Sequence, residues 1–351
     1  MRIIFVLTYP THHGIADQGE WLRWDNRDRR MPGILAEHGV DVELWGLARE
    51  PLDTLSALPG VAPYPIRLFA PSNPQAKTRD QWSDTMVAAA KADPADLFVL
   101  IGSNGGAGYE LFDRVLRPGR RRFALVIGGD YWSRIVPHAD LLFPESAVQE
   151  SLLTAPGWRF WRRAIPGSGM QRLPKTIDTA RFAPVEAEKR YDVIATSRLT
   201  RYKKFDEIAA LGRQHRVAVI GDGPQAGKLK ARFPWVDWLG HVPNGQVPAM
   251  LAQARLFFHA GRRDYFPRAI PEAMACGLPV AAFDDRIGPD VIPPACGLLV
   301  RDADYAAKVA ALLADPGALV AMGAAARAHV VATHGARSSE AACARLMELC
   351  R

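Results

Sequence analysis

The chain has 351 residues, of which 48% are hydrophobic and 23% charged, a composition typical of a globular protein with enough chain for two domains. We expect neither a signal peptide nor a membrane span, because the first apolar run stops at Tyr9 and Pro10 and no run approaches the roughly 18 residues that a span needs. Residues 181–351 carry 23 basic and 17 acidic side chains, against 21 and 20 in residues 1–180. That excess favours a polyanionic ligand, but the basic residues are dispersed and match no nucleic-acid-binding module.

Short apolar runs alternate with helical stretches along the whole chain, which predicts an α/β fold with parallel sheets and crossover helices in two doubly wound halves. A helix is predicted at Asn26–His38, closed by Gly39. The expected strands are Ile3–Leu7, Val40–Trp45, Leu97–Ile101, Phe123–Ile127 and Leu141–Phe143, then Val193–Thr196, Val217–Ile220, Val236–Leu239, Leu256–His259, Val280–Phe283 and Leu298–Val300.

The segment Ile165–Pro184 is rich in proline, glycine and polar residues, which is typical of a connection between domains. We expect the first domain at residues 1–184 and the second at 185–335. The stretch from about Pro316 to the end is predicted to be helical, with one apolar face.

The four cysteines show no metal-type spacing, which fits a reducing cytoplasm and buried structural thiols. They are Cys276, Cys296, Cys343 and Cys350.

The stretch 264–280, DYFPRAIPEAMACGLPV, carries the strongest chemical signal. Asp264 precedes Glu272 by eight positions, and Glu272 opens a small-residue helix. Backbone N–H groups before a helix favour phosphate, while the two carboxylates are suited to accept hydrogen bonds from hydroxyls. The alternative is a helix start whose acidic residues interact only with its dipole.

A second motif, ATSRLTRYKKFDEI at residues 195–208, follows the first strand of the second half. Arg198 and Lys203 are five positions apart. Two fixed cations stabilise a diphosphate that gains negative charge as it departs. The alternative is a solvated basic loop.

These strings resemble the donor signature of retaining GT-B glycosyltransferases, in particular family 4. Asp264 stands at the first position of the family's E-x7-E pattern and Glu272 at the second, and Arg198 and Lys203 match its R-L-x-x-x-K-G signature, with Lys204 where glycine is usual. The resemblance is high over residues 190–335 and weaker over 1–189. It implies two Rossmann-like domains facing across a cleft, with residues 336–351 as a C-terminal helix that crosses back to the first domain.

The resemblance also implies roles for individual residues. Glu272 holds the ribose of the donor and Asp264 faces the transferred sugar, one methylene shorter than the usual glutamate. Backbone N–H groups of residues 265–270 contact sugar and phosphate, except at Pro267, which has none. The donor-binding set is Glu272, Gly221, His241, Val242, Tyr265, Phe266, Arg268, Ala269 and Ile270, with an exposed surface histidine as the alternative for His241.

The first half departs further from the family. His12, His13 and Gly14 stand where relatives have a glycine-rich phosphate and acceptor loop, and Asp130 and Asn104 lie in glycine-rich turns after two strands. Asp130 is the candidate for an acceptor-side contact in place of the histidine usual in relatives, and Asn104 is the second. A surface histidine pair is the alternative for His12 and His13.

The expected reaction is retaining transfer from a UDP- or GDP-linked sugar to a hydroxyl acceptor, in polysaccharide, lipopolysaccharide or glycolipid assembly. Arg198 and Lys203 would supply the positive charge that a metal gives elsewhere, so neither metal nor cofactor is expected. The expected location is the cytoplasm or the inner face of the membrane. Two aromatic-basic runs, Arg117–Phe123 and Trp158–Arg163, suit either contact with anionic lipid or ordinary solvation.

Two other functions are compatible with the same residues. One is an epimerase that acts on a sugar nucleotide without an acceptor. The other is a catalytically silent GT-B subunit that binds glycan or nucleic acid.

Overall fold

The computed structural model describes residues 1–13, 15, 17–129, 132–155, 165–201, 203 and 205–351, with the backbone only at residue 168. The chain divides into two compact units. Unit 1 comprises Met1–Thr176 and Ala336–Arg351, and unit 2 comprises Ile177–Gly335.

Unit 1 is built on a seven-stranded sheet within the described residues, in the order β3-β4-β2-β1-β5-β6-β7. All neighbouring strands are parallel except the edge pair β3 and β4. The strands are β1 (Arg2–Leu7), β2 (Asp41–Leu47), β3 (Leu52–Leu55), β4 (Pro65–Phe69), β5 (Leu97–Ile101), β6 (Phe123–Val126) and β7 (Leu141–Phe143). The α-helices before the crossing to unit 2 are α1 (Gln18–Arg23), α2 (Arg27–Glu37), α3 (Asp84–Ala92), α4 (Gly106–Leu111) and α5 (Ala147–Thr154).

The sheet of unit 1 is buried on both faces, as a doubly wound fold requires. Side chains alternate across a strand, so Ile3 and Phe5 of β1 belong to one apolar core while Ile4 and Val6 belong to the core on the opposite face.

Unit 2 contains six parallel strands in the order β10-β9-β8-β11-β12-β13. The strands are β8 (Tyr191–Thr196), β9 (Val217–Ile220), β10 (Asp237–Gly240), β11 (Ala254–His259), β12 (Val280–Phe283) and β13 (Gly297–Val300). The α-helices are α6 (Phe205–Leu211), α7 (Ala226–Arg232), α8 (Val247–Leu251), α9 (Ala269–Ala275), α10 (Tyr305–Leu313) and α11 (Pro316–His334).

The predicted α/β fold with two parallel-sheet units is confirmed, and each predicted strand coincides with an observed strand within two residues at either end. The edge strand β3 and its neighbour β4 were not predicted. Pro65 opens β4, and β3 is a four-residue antiparallel strand, so neither has the long apolar run of a central strand.

The predicted helical stretch from Pro316 to the end contains a break. Helix α11 ends at His334, and a further helix, α12, covers Glu340–Cys350. Helix α12 packs on α2 in unit 1, where Ala342, Cys343 and Leu346 enter the apolar core.

The change from unit 1 to unit 2 lies eight residues before the expected boundary at 184/185. Ile177 and Phe182 are buried in the core of unit 2, while Leu173 is buried in the core of unit 1. Apolar side chains inside the proline-rich connection therefore anchor it to both units. Among the described residues, no single helix is long and apolar enough to cross a membrane, although one sharply bent pair, α10 with α11, passes by length and composition.

The cysteines are free thiols, three of them buried and Cys350 half-buried. Burial raises the pKa of Cys276 and of Cys343 to about 12, so both stay protonated and serve the core.

Candidate functional site

The loops that carry the motifs of unit 2 all leave the same edge of its sheet. Parallel strands end at one edge, and open α/β sheets bind ligands there. Residues 197–201 and 203 follow β8, the turn at Gly221 follows β9, His241 and Val242 follow β10, and the loop of residues 260–268 follows β11.

Leu199 fixes the loop that presents Arg198 and Lys203. Its side chain is fully buried, its backbone N–H donates to the carbonyl of Asp222 at 2.9 Å, and its carbonyl accepts from the N–H of Gln225 at 3.1 Å. Arg198 is exposed beside this anchor. Lys203 is placed by a β-bridge to Gly261 in the loop after β11.

Asp264 lies between two basic side chains that meet at one of its oxygens. Lys203 Nζ forms an ion pair with Asp264 Oδ2, and His259 Nε2 lies 3.0 Å from the same oxygen. His259 is the last residue of β11 and is 4% exposed, while the side chains of Lys203 and Asp264 are 22% and 31% exposed. The structure therefore brings the second motif into direct contact with the first.

Electrostatics keep this cluster in a defined protonation state. Burial alone would raise the pKa of Asp264, but the hydrogen bonds from His259 and Lys203 outweigh it and hold that pKa well below its usual range. Burial lowers the pKa of His259, against the opposing effect of Asp264, and the Lys203 ammonium lowers it further. At neutral pH Asp264 is therefore a carboxylate and His259 a neutral imidazole, whose Nε2–H donates to Asp264 Oδ2.

Glu272, the second acidic residue of the donor motif, is also paired with a cation. Arg268 Nε donates to Glu272 Oε1 at 2.9 Å, one helical turn apart. Tyr265, Phe266 and Ile270 have buried side chains, so a ligand at this loop meets their backbone rather than their rings or methyl groups. Ala269 is the first residue of α9.

The loop of residues 260–268 is held in place by Arg262. Arg262 forms ion pairs with Asp285 at 2.9 Å, with Asp302 and with Glu207 at 3.8 Å, and stacks over Phe283. These contacts restrict the backbone that carries Asp264.

Gly221 is required by close packing of backbone. Its φ is +138°, and a Cβ there would lie 2.0 Å from the carbonyl oxygen of Ser197. Its N–H donates to the carbonyl of Gly240 at 2.8 Å, which draws the ends of β9 and β10 together. His241 is exposed and Val242 is half-buried just beyond this point.

In unit 1, the predicted loop residues lie at the carboxyl ends of β1 and β5. Tyr9 donates from its hydroxyl to Asn104 Oδ1, and His13 Nδ1 lies 2.7 Å from Thr78 Oγ1. His12 is half-buried beside Arg49. Its pKa is lowered mainly by burial and, to a smaller extent, by the positive charge of Arg49. The structure thus places His12, His13 and Asn104 at one edge. Gly14 and Asp130 lie outside the described residues.

A basic cleft of about 260 Å³ adjoins Lys203. It lies between the loop after β8 and helix α7 and includes Arg201, Lys228 and Arg232. Arg232 pairs with Asp206 at 2.9 Å on its wall. In the part of the chain that the structure describes, no group of three or more histidine, cysteine, aspartate or glutamate residues is arranged to hold a metal ion.

Of the two aromatic-basic runs, Trp158–Arg163 lies outside the described residues. In the other, Arg121 donates to the carbonyls of Asp93 and Ala95, and Arg122 donates to that of Leu349. These two arginines stabilise the fold through hydrogen bonds to backbone carbonyls, whereas Arg117 and Arg120 are exposed.

Two contacts of the acidic residues were not predicted, that of His259 with Asp264 and that of Arg268, itself in the predicted donor-binding set, with Glu272. His259 was assigned only to a strand, although a polar residue at the carboxyl end of a buried strand is a signal for a site. Arg268 lies four residues before Glu272, a spacing that pairs side chains on a helix.

Comparison with known proteins identifies this part of the chain. Residues 192–315 match the family model of Glycosyl transferases group 1. These residues form a glycosyl transferases group 1 domain. The domain contains β8 to β13 and with them Arg198, Lys203, Asp264 and Glu272.

Two curated relatives come from Mycolicibacterium smegmatis. A GDP-mannose-dependent alpha-mannosyltransferase is 27% identical over 167 residues, which are 46% of this chain and 44% of the relative. A GDP-mannose-dependent alpha-(1-6)-phosphatidylinositol monomannoside mannosyltransferase is 30% identical over 215 residues, 50% of this chain and 56% of the relative. The chain thus spans about half the length of the curated relatives it matches.

The whole chain also resembles a solved structure, Anabaena Alr3699/HepE in complex with UDP. The TM-score is 0.68 at 16% identity, with 99% of this chain and 100% of that one covered. At this identity the likeness shows the fold, and it confirms the predicted GT-B class.

Proposed function

We propose that the protein is a glycosyltransferase that moves a sugar from a nucleotide-diphosphate donor to a hydroxyl acceptor. The observation that carries the proposal is the Lys203–Asp264 ion pair at the carboxyl edge of the group 1 domain, in the loop next to Arg198. A cation beside a carboxylate at this edge suits a ligand that is a diphosphate at one end and a polyol at the other.

The chemistry follows from where charge develops. The diphosphate gains negative charge as the glycosidic bond stretches, so Lys203 and Arg198 bind the transition state more strongly than the ground state. Asp264 accepts a hydrogen bond from a hydroxyl of the transferred sugar. Glu272 accepts one from the ribose after its ion pair with Arg268 opens. In a retaining front-face displacement the leaving phosphate oxygen accepts the proton of the acceptor, so no separate carboxylate base is needed.

The relatives support the choice of donor and acceptor. Two relatives are named as GDP-mannose-dependent and a protein of the same fold binds UDP, so a GDP- or UDP-linked sugar is proposed, with GDP-mannose first to be tested. One relative is named for a phosphatidylinositol mannoside acceptor, which favours a glycolipid within the wider class of glycan acceptors. His12, His13 and Asn104 are the proposed acceptor-side residues of unit 1, and membership in family 4 is part of the proposal.

The test is a panel of nucleotide sugars, first by thermal shift and then by product analysis with and without acceptor. We expect Tm to rise with one donor and transfer to continue in EDTA, because Arg198 and Lys203 supply the positive charge. Lys203→Ala should lower kcat/KM by a factor of about 100 or more, while Lys308→Ala, on the exposed face of α10, should leave it unchanged.

Three outcomes separate the alternatives. Conversion of the donor without an acceptor would indicate an epimerase. Binding of a nucleotide sugar without any conversion would indicate a silent subunit. Full transfer by Lys203→Ala would show that the site is assigned wrongly.

A further inference from the structure

The two partners of Asp264 differ in how freely they move. Lys203 reaches Asp264 from a loop through a flexible four-carbon stem, and its side chain is 22% exposed. His259 reaches the same oxygen from the end of a central strand, where it is 4% exposed. One partner can turn toward a ligand and the other cannot.

The backbone at Gly261 passes close to this contact. A Cβ at Gly261 would lie 2.3 Å from Asp264 Oδ2 and 2.6 Å from His259 Nε2. Only glycine lets the chain pass this close to both groups. The imidazole and the carboxylate are therefore held together by the fold and not by the lysine alone.

A partly buried carboxylate is costly when it loses its hydrogen-bond donors. If Lys203 directs its ammonium to an incoming diphosphate, Asp264 must keep another donor or shift away from its place. His259 is that donor, and it adds no positive charge because the ring is neutral.

We propose that His259 is a positioning residue that holds Asp264 in place when Lys203 turns from Asp264 to the diphosphate of the ligand. This inference rests on the proposed function for the identity of the anion. It goes beyond it by giving the buried histidine a role and by making the lysine a two-position group.

The test is a double-mutant cycle read by calorimetric binding of inorganic pyrophosphate and of UDP and GDP to the full chain. The variants are His259→Leu, which removes the donor, and His259→Gln, whose amide nitrogen reaches the place of Nε2. Each is made in two backgrounds, one with the native Asp264 and one with Asp264→Asn. His329→Leu is the matched control, a half-buried histidine of α11 in the same unit. Tm and circular dichroism of each variant verify folding.

We expect His259→Leu to weaken pyrophosphate binding about tenfold, and His259→Gln to keep it within about threefold. Asp264→Asn should bind at least as tightly as the wild type, because its Lys203 is already free. In that background His259→Leu should have less than a twofold effect, since the histidine acts through the carboxylate. A merely structural role would weaken both backgrounds equally.

Equal losses in both backgrounds, a Gln variant as weak as the Leu variant, or a wild type that binds none of the three probes would each overturn the inference. Nucleotide-sugar transfer by the wild type is measured in parallel. If the double-mutant cycle shows the predicted coupling but no sugar is transferred, the proposed function alone is overturned. If sugar is transferred but the effects of the two substitutions simply add, this inference alone is overturned.

Discussion

At the scale of single residues, the candidate site is centred on Asp264, because Lys203 and His259 both contact its Oδ2 atom. The positions of Arg198, Lys203, Asp264 and Glu272 could be predicted because each belongs to a motif with fixed spacing. The contact of His259 with Asp264 could not be predicted, since it depends on how the four residues between them, 260–263, turn the chain back. The pairing of Arg268 with Glu272 is an intermediate case, because their four-residue spacing on a helix would have been enough to predict it.

The glycine in this loop offers a test that leaves every functional group present. Gly261→Ala places a methyl group where Asp264 and His259 meet, so we expect the carboxylate to be displaced. A displacement of about 1 Å costs about 100-fold in rate, which should appear in kcat/KM for transfer. Gly227→Ala is the control, because a Cβ added there would meet no atom within 4 Å beyond its own helical turn. Equal activity of the two variants would refute the geometry.

The buried imidazole predicts a pH dependence of stability. The pKa of His259 is lowered in the folded protein, so as pH falls below about 6.5 the unfolded chain binds a proton that the folded protein excludes. The free energy of unfolding should then fall by up to about 1.4 kcal/mol per pH unit from this residue. The charged groups that face the ring are Asp264 and Lys203, and the lowered pKa of Asp264 keeps its carboxylate ionised in this range.

Chemical denaturation of the wild type and of His259→Gln at pH 7.5 and 5.5 measures this effect. His12 and His329 also have lowered pKa values, but they contribute equally to both proteins. The wild type should lose about 1 kcal/mol more than the variant over this range. The same loss in both proteins would contradict a neutral His259.

At the scale of elements, the sequence predicts the described strands except β3 and β4, which lie at one edge of the unit 1 sheet. Central strands such as β5 and β9 are buried on both faces and read as continuous apolar runs. The edge strand β3 and its neighbour β4 carry polar residues or proline, and their pairing is decided by tertiary contacts. The interruption between α11 and α12 falls in a polar stretch around Gly335 that helical periodicity alone passes over.

Helix α12 provides a prediction at this scale. Leu346 is fully buried in the core of unit 1 against α2, so Leu346→Ala should lower the free energy of unfolding by about 2–5 kcal/mol. Val320→Ala, at a position 74% exposed on α11, should change it by less than about 0.5 kcal/mol. Urea denaturation compares them, and equal stabilities would show that α12 is not docked in the core.

At the scale of the whole molecule, two parallel-sheet units follow from chain length and from the repeated alternation of strands and helices. The change from one unit to the other could only be approximated, because Ile177 and Phe182 lie in a segment with linker composition yet pack in unit 2. The larger excess of basic residues in the second half agrees with a diphosphate site there. The first half carries weaker motifs, so its acceptor residues stay predictions.

The most direct measurement is a crystal structure of the full chain with GDP or UDP bound. We predict a diphosphate within hydrogen-bond distance of Lys203 Nζ and the Arg198 guanidinium, at the carboxyl end of β8, with the ribose at Glu272 and the Asp264 carboxylate still bonded to His259. A nucleotide bound elsewhere, with the Lys203–Asp264 pair undisturbed, would contradict the assignment of this site.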